Sequence, residues 1–165
     1  MARRGRSSPS YVGLTPASEA ASRAGKGNRG TDTGPEVLLR REVWKLGLRY
    51  RKHAALLPGK PDLVFPAARL AVFCDGDFWH GRHWRKLRAQ LARRHNADYW
   101  VAKIQRNRGR DRENTAQLKR LGWAVLRLWE TDIRRSPAEA AALVRDAVQA
   151  RREGAAPPRP GPGRP

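Results

Sequence analysis

Pro58-Gly59-Lys60-Pro61-Asp62-Leu63-Val64-Phe65 and, one short turn later, Leu70-Ala71-Val72-Phe73-Cys74-Asp75-Gly76-Asp77 decide how this chain folds. Leu63–Phe65 and Leu70–Cys74 are brief apolar runs separated by Pro66-Ala67-Ala68-Arg69. Bounded by Pro and Gly, they read as two strands of an antiparallel hairpin. Such a hairpin lays the start of its first strand beside the end of its second, so Asp62 faces Asp75 or its neighbours. Hydrolysing a phosphodiester needs hard cations, and magnesium takes oxygen ligands: one or two carboxylates completed by water and phosphate oxygens. A carboxylate pair at the open end of a hairpin suits that chemistry. Pro-Asp and Asp-Gly are also ordinary turn signals. These pieces alone therefore fit a plain hairpin equally well.

Outward from the hairpin, a helix is expected from Thr33-Gly34-Pro35-Glu36, with Thr33 as cap and Pro35 in the first turn. Val37, Leu38, Val43 and Trp44 would form its buried stripe and Gly47 would stop it, with an edge strand over residues 49–52. Downstream, residues 97–121 read as a long helix packed through Trp100, Ile104 and Leu118, with Gly122 as its stop. Ala124-Val125-Leu126-Arg127-Leu128-Trp129 reads as a further strand, and Pro137 opens a last Ala-rich helix to about Ala150. Trp123 and Trp129, flanking that strand, are expected in the core. Helices alternating with a few strands imply a mixed α/β sandwich.

Composition narrows the partners. Lys and Arg total 35 against 15 Asp and Glu, a formal net charge of +20. A surplus of that size favours a polyanion, because each neutralised phosphate releases condensed counterions. Nucleic acid is the first expectation and an anionic membrane surface the second. No apolar run approaches the ~20 residues that a span requires, and Met1-Ala2-Arg3-Arg4-Gly5-Arg6 is no signal peptide. Cys74 is the single cysteine, which excludes an internal disulfide and a thiolate-rich zinc site. Residues 1–30 read as a mobile basic arm, 31–151 as one domain, and 152–165 as a disordered Pro/Gly/Arg tail. A cytoplasmic, nucleoid-associated bacterial protein is expected.

The segment as a whole is more specific than its parts. Pro58-Gly-Lys-Pro-Asp62, then Asp75-Gly-Asp-Phe-Trp-His80-Gly81, resembles the core of the very short patch repair endonucleases. Tyr99-Trp100-Val-Ala-Lys103-Ile104-Gln-Arg-Asn107, Arg110-Asp111, and Leu121-Gly-Trp-Ala-Val-Leu-Arg-Leu-Trp129-Glu130 continue the pattern in unbroken order between about Ser22 and Ile133. The resemblance implies a restriction-endonuclease-like fold, a three-layer sandwich with a mixed central sheet flanked by helices. It implies a magnesium-dependent endonuclease that nicks double-stranded DNA beside a T·G mismatch, as a monomer, with mismatch-repair proteins as further candidate partners. It implies magnesium (Mg2+) as a pair of ions.

Site roles follow from the resemblance residue by residue. Asp62 matches the metal-binding aspartate, and Cys74 a position whose main-chain carbonyl completes the metal shell. His80 matches the histidine that activates the attacking water, a task suited to an imidazole that titrates near neutral pH. Glu36 matches a helix carboxylate that supports the metal site through water. Phe78, Trp79 and Trp100 match aromatics used as a wedge between base pairs, while Lys103 and Asn107 match residues near the mispaired bases. Inserting rings costs a few kcal/mol of unstacking per step, and a mispaired step costs less to open. Each feature also has an ordinary reading: His80 as a packed structural histidine, the aromatics as core. His53, His83 and His95 match nothing catalytic and are expected at the surface. Arg106, Arg108, Arg110 and Arg112 are expected as phosphate contacts or solvated charges.

The chain also departs from the family pattern. The structural zinc of the best-characterised type has Asp77, Arg82, Trp84 and Thr131 at its ligand positions here, a set that cannot hold zinc. Asp75 replaces a second active-site histidine, which makes it a candidate direct metal ligand. Gly25 stands where the family inserts a methionine into DNA. Two further readings stay open: a nuclease of the same fold acting on modified, restriction-type or branched DNA, and a basic DNA-binding protein without catalysis. Asp62, Asp75 and His80 together favour catalysis.

Overall fold

The computed structural model describes residues 31–154; the expected basic arm, with Gly25, and the tail from 155 onward lie outside the described residues. The elements run α1 (Gly34–Lys45), β1 (Arg51–Lys52), β2 (Leu63–Phe65), a 3-10 turn (Pro66–Ala68), β3 (Leu70–Asp75), α2 (Trp84–Leu91), α3 (Ala97–Arg120), β4 (Ala124–Trp129), α4 (Glu130–Arg135) and α5 (Pro137–Arg152). The strands form one sheet in the order β1-β2-β3-β4. β1, β2 and β3 pair antiparallel, with Leu63 opposite Val72, and β3 pairs parallel with β4, with Cys74 opposite Leu128. A parallel pair needs a crossover, and α2 with α3 supplies it.

Side chains alternate across a strand, and that alternation builds two packed layers. Leu63, Phe65, Leu70, Val72, Leu126 and Leu128 turn to one face, where they meet Leu39 and Val43 of α1, Ile133 of α4 and Val144 of α5. Ala71 and Phe73 turn to the other, against Leu118 of α3, with Trp123 and Val125 partly buried beside them. The result is the expected mixed α/β sandwich, helices on both faces of a mixed sheet. Among the described residues no helix is long and apolar enough to cross a membrane.

The structure corrects several local expectations. Trp44 is 57% exposed, not buried. The inward face of α1 carries Glu36, Leu39, Arg40 and Val43, and Trp44 falls about a quarter-turn away from it. It lies instead under the Arg49 guanidinium and edge-on to Tyr50. Trp129, expected in the core, is half-buried beneath Arg82. Helices α2 and α4 were not foreseen. α2 fully buries only Leu91, and α4 follows β4 without a loop.

The loop after β3 is tied down by charge. The Thr131 hydroxyl donates to Asp77 Oδ2, and Arg82 reaches Asp77 Oδ1 at 3.4 Å and Asp132 at 3.0 Å. Three of these residues occupy positions where the resemblance puts zinc ligands; the fourth, Trp84, lies under Arg108. An ionic knot thus joins the loop to α4. Arg82 is only 10% exposed, and its loss takes one cation from two half-buried carboxylates, leaving Asp77 with the Thr131 hydroxyl and Asp132 with Arg135 at 3.3 Å, at a cost of about 1–3 kcal/mol. Arg82→Met is therefore expected to lower the melting temperature by several degrees. An unchanged melting temperature would show that aromatic packing alone fixes the loop.

Candidate active site

A cavity of about 630 Å³ opens at the carboxyl end of β3, lined among others by Glu36, His53, Asp62, Asp75, His80 and Glu130. Each arrives by a local cause. The β2–β3 register brings Asp62 alongside the end of β3, and Asp75 is the last residue of that strand. His80 lies in the turn that follows, pressed against α3 at Gly81. Gly81 has φ +67°, and a Cβ there would lie 2.8 Å from Arg108 Cδ and 3.0 Å from Ile104. Only glycine admits this approach without strain.

Asp62 Oδ2 accepts the Cys74 main-chain N–H at 2.7 Å, the sole hydrogen bond of this carboxylate among the described residues. Burial pushes its carboxyl up to about 6; the Cys74 hydrogen bond opposes the rise, and the Glu36 and Asp75 charges add to it. The N–H and C=O of one strand residue leave by the same edge, so the Cys74 carbonyl is directed to the Asp62 side. Burial also pushes the Cys74 thiol well above its ordinary value, which keeps it out of thiolate chemistry.

Asp75 is 3% exposed, and Arg127 grips both its oxygens, Nε to Oδ2 at 2.6 Å and Nη2 to Oδ1 at 2.7 Å. Arg127 Nη2 lies 3.2 Å from Asp111 Oδ1. The other Asp111 oxygen pairs with His80 Nδ1 at 2.6 Å, whereas Asp75 Oδ1 is 3.7 Å from that nitrogen. A carboxylate on Nδ1 fixes the proton there and leaves Nε2 as the basic nitrogen. Burial pulls the His80 pKa down, but the Asp111 hydrogen bond and the Asp75 and Asp111 charges lift it above its ordinary value overall. Burial raises Asp111 in turn, yet its bond to His80 and the Arg127 charge hold it below the usual range.

Glu36 does two jobs. Its Oε2 accepts the Asp32 N–H, and its Oε1 accepts the Thr33 N–H and hydroxyl, closing the capping box of α1. His53, expected at the surface, is half-buried on the cavity wall and lies 3.4 Å from Asp32 Oδ1. Asp32, Glu36 and His53 have donor atoms within 4.8 Å of one another, but Arg40 sits on the trio, 2.5 Å from Asp32 and 3.6 Å from Glu36. His83 and His95 are exposed.

At the cavity mouth the rings of Phe78, Trp79 and Trp100 pack with centroids 5.2–5.9 Å apart. They are half-buried and belong to neither core cluster. Lys103 Nζ lies 5.4 Å from the Trp79 ring and donates to the Tyr99 hydroxyl at 2.9 Å. Asn107 donates to the Trp79 carbonyl at 3.0 Å. Reasoning from sequence gave no role to Asp111, Arg127, Tyr99 or Glu130. Arg127 did leave a signal, because an arginine inside an apolar strand needs a carboxylate partner.

The donor set around Asp62 fits a hard divalent cation: oxygen atoms, and a half-buried carboxylate with no ion-pair partner among the described residues. Its protonation also marks stability. The folded-state pKa lies above the unfolded 3.8, so the contribution of this group to stability is fully present below about 4 and is lost as pH rises through about 6, where the carboxylate ionises. In EDTA at pH 7.5, Asp62→Asn is expected to stabilise the protein by on the order of 2 kcal/mol, and to gain much less at pH 4.5. A variant no more stable than wild type at pH 7.5 would contradict this reading of Asp62.

Comparison with known proteins gives the family. The family model for DNA mismatch endonuclease Vsr matches residues 16–86. The chain is 43% identical over 136 residues to the type II nicking enzyme V.NmeDIP of Neisseria meningitidis serogroup C, covering 82% of this chain and 89% of that one. It is 36% identical to the type II nicking enzyme V.HpaIIP of Haemophilus parainfluenzae over 78% of this chain and 89% of the other. It is 37% identical to the DNA mismatch endonuclease Vsr of Escherichia coli K12, over 62% and 64% of the two chains. The chain belongs to the DNA mismatch endonuclease Vsr family.

Proposed function

We propose that this protein is a DNA endonuclease that hydrolyses one strand of a duplex beside a T·G mismatch, with magnesium. The observation that carries the reading is the pairing, within one cavity, of a half-buried carboxylate that has no ion-pair partner among the described residues with a histidine whose free nitrogen is set by a second carboxylate. Asp62 and the Cys74 carbonyl would hold the cation, which neutralises the scissile phosphate and acidifies water when bound. His80 Nε2 takes a proton from the attacking water while Asp111 holds the ring and balances the imidazolium. The water oxygen bonds to phosphorus as the bond to the leaving sugar oxygen breaks. Glu36 supports the site from the N-terminus of α1. Metal serves chemistry and not folding, since ion pairs stand at the zinc positions.

Recognition is assigned to the mouth. Phe78, Trp79 and Trp100 form an amphipathic wedge, and Lys103 and Asn107 beside it meet the base edges. An aromatic cluster outside the core, in a chain of net charge +20, suits stacked bases. The names of the nicking enzymes among the relatives favour single-strand cleavage. A nuclease of the same fold acting on another DNA target is the alternative. A DNA substrate and bacterial relatives favour a cytoplasmic location.

Labelled duplexes, matched and T·G-mismatched, cut in magnesium and in EDTA, test the proposal. Asp62→Ala is expected to abolish cleavage and leave duplex affinity within a few-fold; substantial magnesium-dependent cutting by the variant would refute the site. Trp79→Ala is expected to slow cutting of the mismatched duplex by about tenfold or more, given about 1–3 kcal/mol per stacked base, and to spare residual cutting of matched DNA. Equal loss on both substrates would move the function to the alternative target.

A further inference from the structure

We propose that Asp75 and Arg127 form a fixed ion pair whose task is to leave Asp111 as the only carboxylate available to His80, so that Asp75 acts as a positioning residue and not as a metal ligand. The inference rests on the nuclease reading above and goes beyond it, because it decides between two roles for Asp75.

Two carboxylates flank the His80 ring: Asp111 at 2.6 Å from Nδ1 and Asp75 at 3.7 Å. Either could accept its N–H, and the choice sets where Nε2 points. Arg127 resolves the competition. Its planar fork takes one oxygen of Asp75 with Nε and the other with Nη2, the bidentate geometry that guanidinium favours. Its Nη2 also reaches Asp111 Oδ1, which turns Asp111 Oδ2 toward the ring. Asp75, Arg127, Asp111 and His80 are thus joined in one continuous chain from the sheet to α3 and on to the loop.

The guanidinium is itself held in place. It lies 4.6 Å over the Phe73 ring, on the same face of β3 as Asp75 two residues on. The Thr115 hydroxyl of α3 accepts from Nη1 at 3.5 Å. A cation bound by Asp75 would have to displace, or sit beside, this half-buried positive charge, and breaking its pair with the buried Asp75 is costly. Asp62, with no such partner among the described residues, carries no such cost. Removing Arg127 alone leaves Asp75 buried with His80 Nδ1, 3.7 Å away, as its nearest cationic partner among the described residues. The ring then turns to Asp75, and Nε2 is re-aimed away from the water.

Single-turnover nicking of a T·G duplex by the full-length protein, with the magnesium concentration at half-maximal rate and the duplex affinity, tests this on Asp75→Asn, Arg127→Gln and the double variant. Arg127→Gln is expected to slow the chemical step about 100-fold, as small misplacements of a reacting group do, with duplex affinity and magnesium requirement unchanged. Asp75→Asn is expected to lose less than about tenfold, and the double variant to recover at least about tenfold over Arg127→Gln, because coupled neighbours are not additive. An Asp75→Asn variant that loses nicking and regains it only at raised magnesium overturns the proposal. So does a double variant no faster than Arg127→Gln. Should Arg127→Gln fail to fold, the magnesium dependence of Asp75→Asn alone decides. A wild-type protein that does not nick in magnesium overturns the nuclease reading itself, and this inference with it.

Discussion

The Cys74 N–H donates to the Asp62 carboxylate at 2.7 Å, and this bond exists only because the hairpin pairs Leu63 with Val72. A slip of one residue would turn every side chain of β3 to the opposite face of the sheet. Leu70 and Val72 would leave the main core, and Asp75 would leave Arg127. Burial of those leucines and valines, each removed from water at about 25 cal/mol per Å², therefore locks the register. The register in turn locks the site. Packing energy on one face of the sheet is what holds a carboxylate on its rim in place.

Around the cavity the carboxylates are sorted by their partners. Glu36 spends its oxygens on the cap of α1, Glu130 accepts the Asp77 N–H, and Asp75 is gripped by Arg127. Asp111 is shared between Arg127 and His80. Asp62, like Glu130, has a single neutral donor among the described residues, and burial lifts its pKa to about 6. Groups whose environments push their pKa values apart commonly divide the labour of a catalytic site. Here the Asp62 carboxyl is raised, while Asp111, bound to His80, is lowered.

Much of this was legible because it is local. The hairpin, the long helix α3 and the cap at Thr33 each depend on neighbouring residues, and the alternation in β3 fixed which side chains face the main core. What escaped depends on distant pairing or on polar burial. Asp75 and Arg127 are separated by 52 residues, and no local rule joins them. Trp44 was misplaced because the inward face of α1 is taken partly by Glu36 and Arg40, both buried, so a stripe chosen by hydrophobicity ran out of phase. Departures of this kind are expected where a site overrides the helix pattern. Glu36, Asp62, Asp75 and His80 do converge on one cavity, but their division of labour was hidden, since it is Arg127 and Asp111 that set it.

The central claim is that a cation is held by Asp62 and the Cys74 carbonyl, with Asp75 kept off it by Arg127. Anomalous scattering from manganese in crystals of the protein bound to a T·G duplex tests this most directly. The account predicts a peak about 2.1–2.2 Å from an Asp62 oxygen and the Cys74 carbonyl, with Arg127 still on both oxygens of Asp75. Manganese bound to Asp75, or seated at Asp32, Glu36 and His53 with Asp62 left bare, would contradict it.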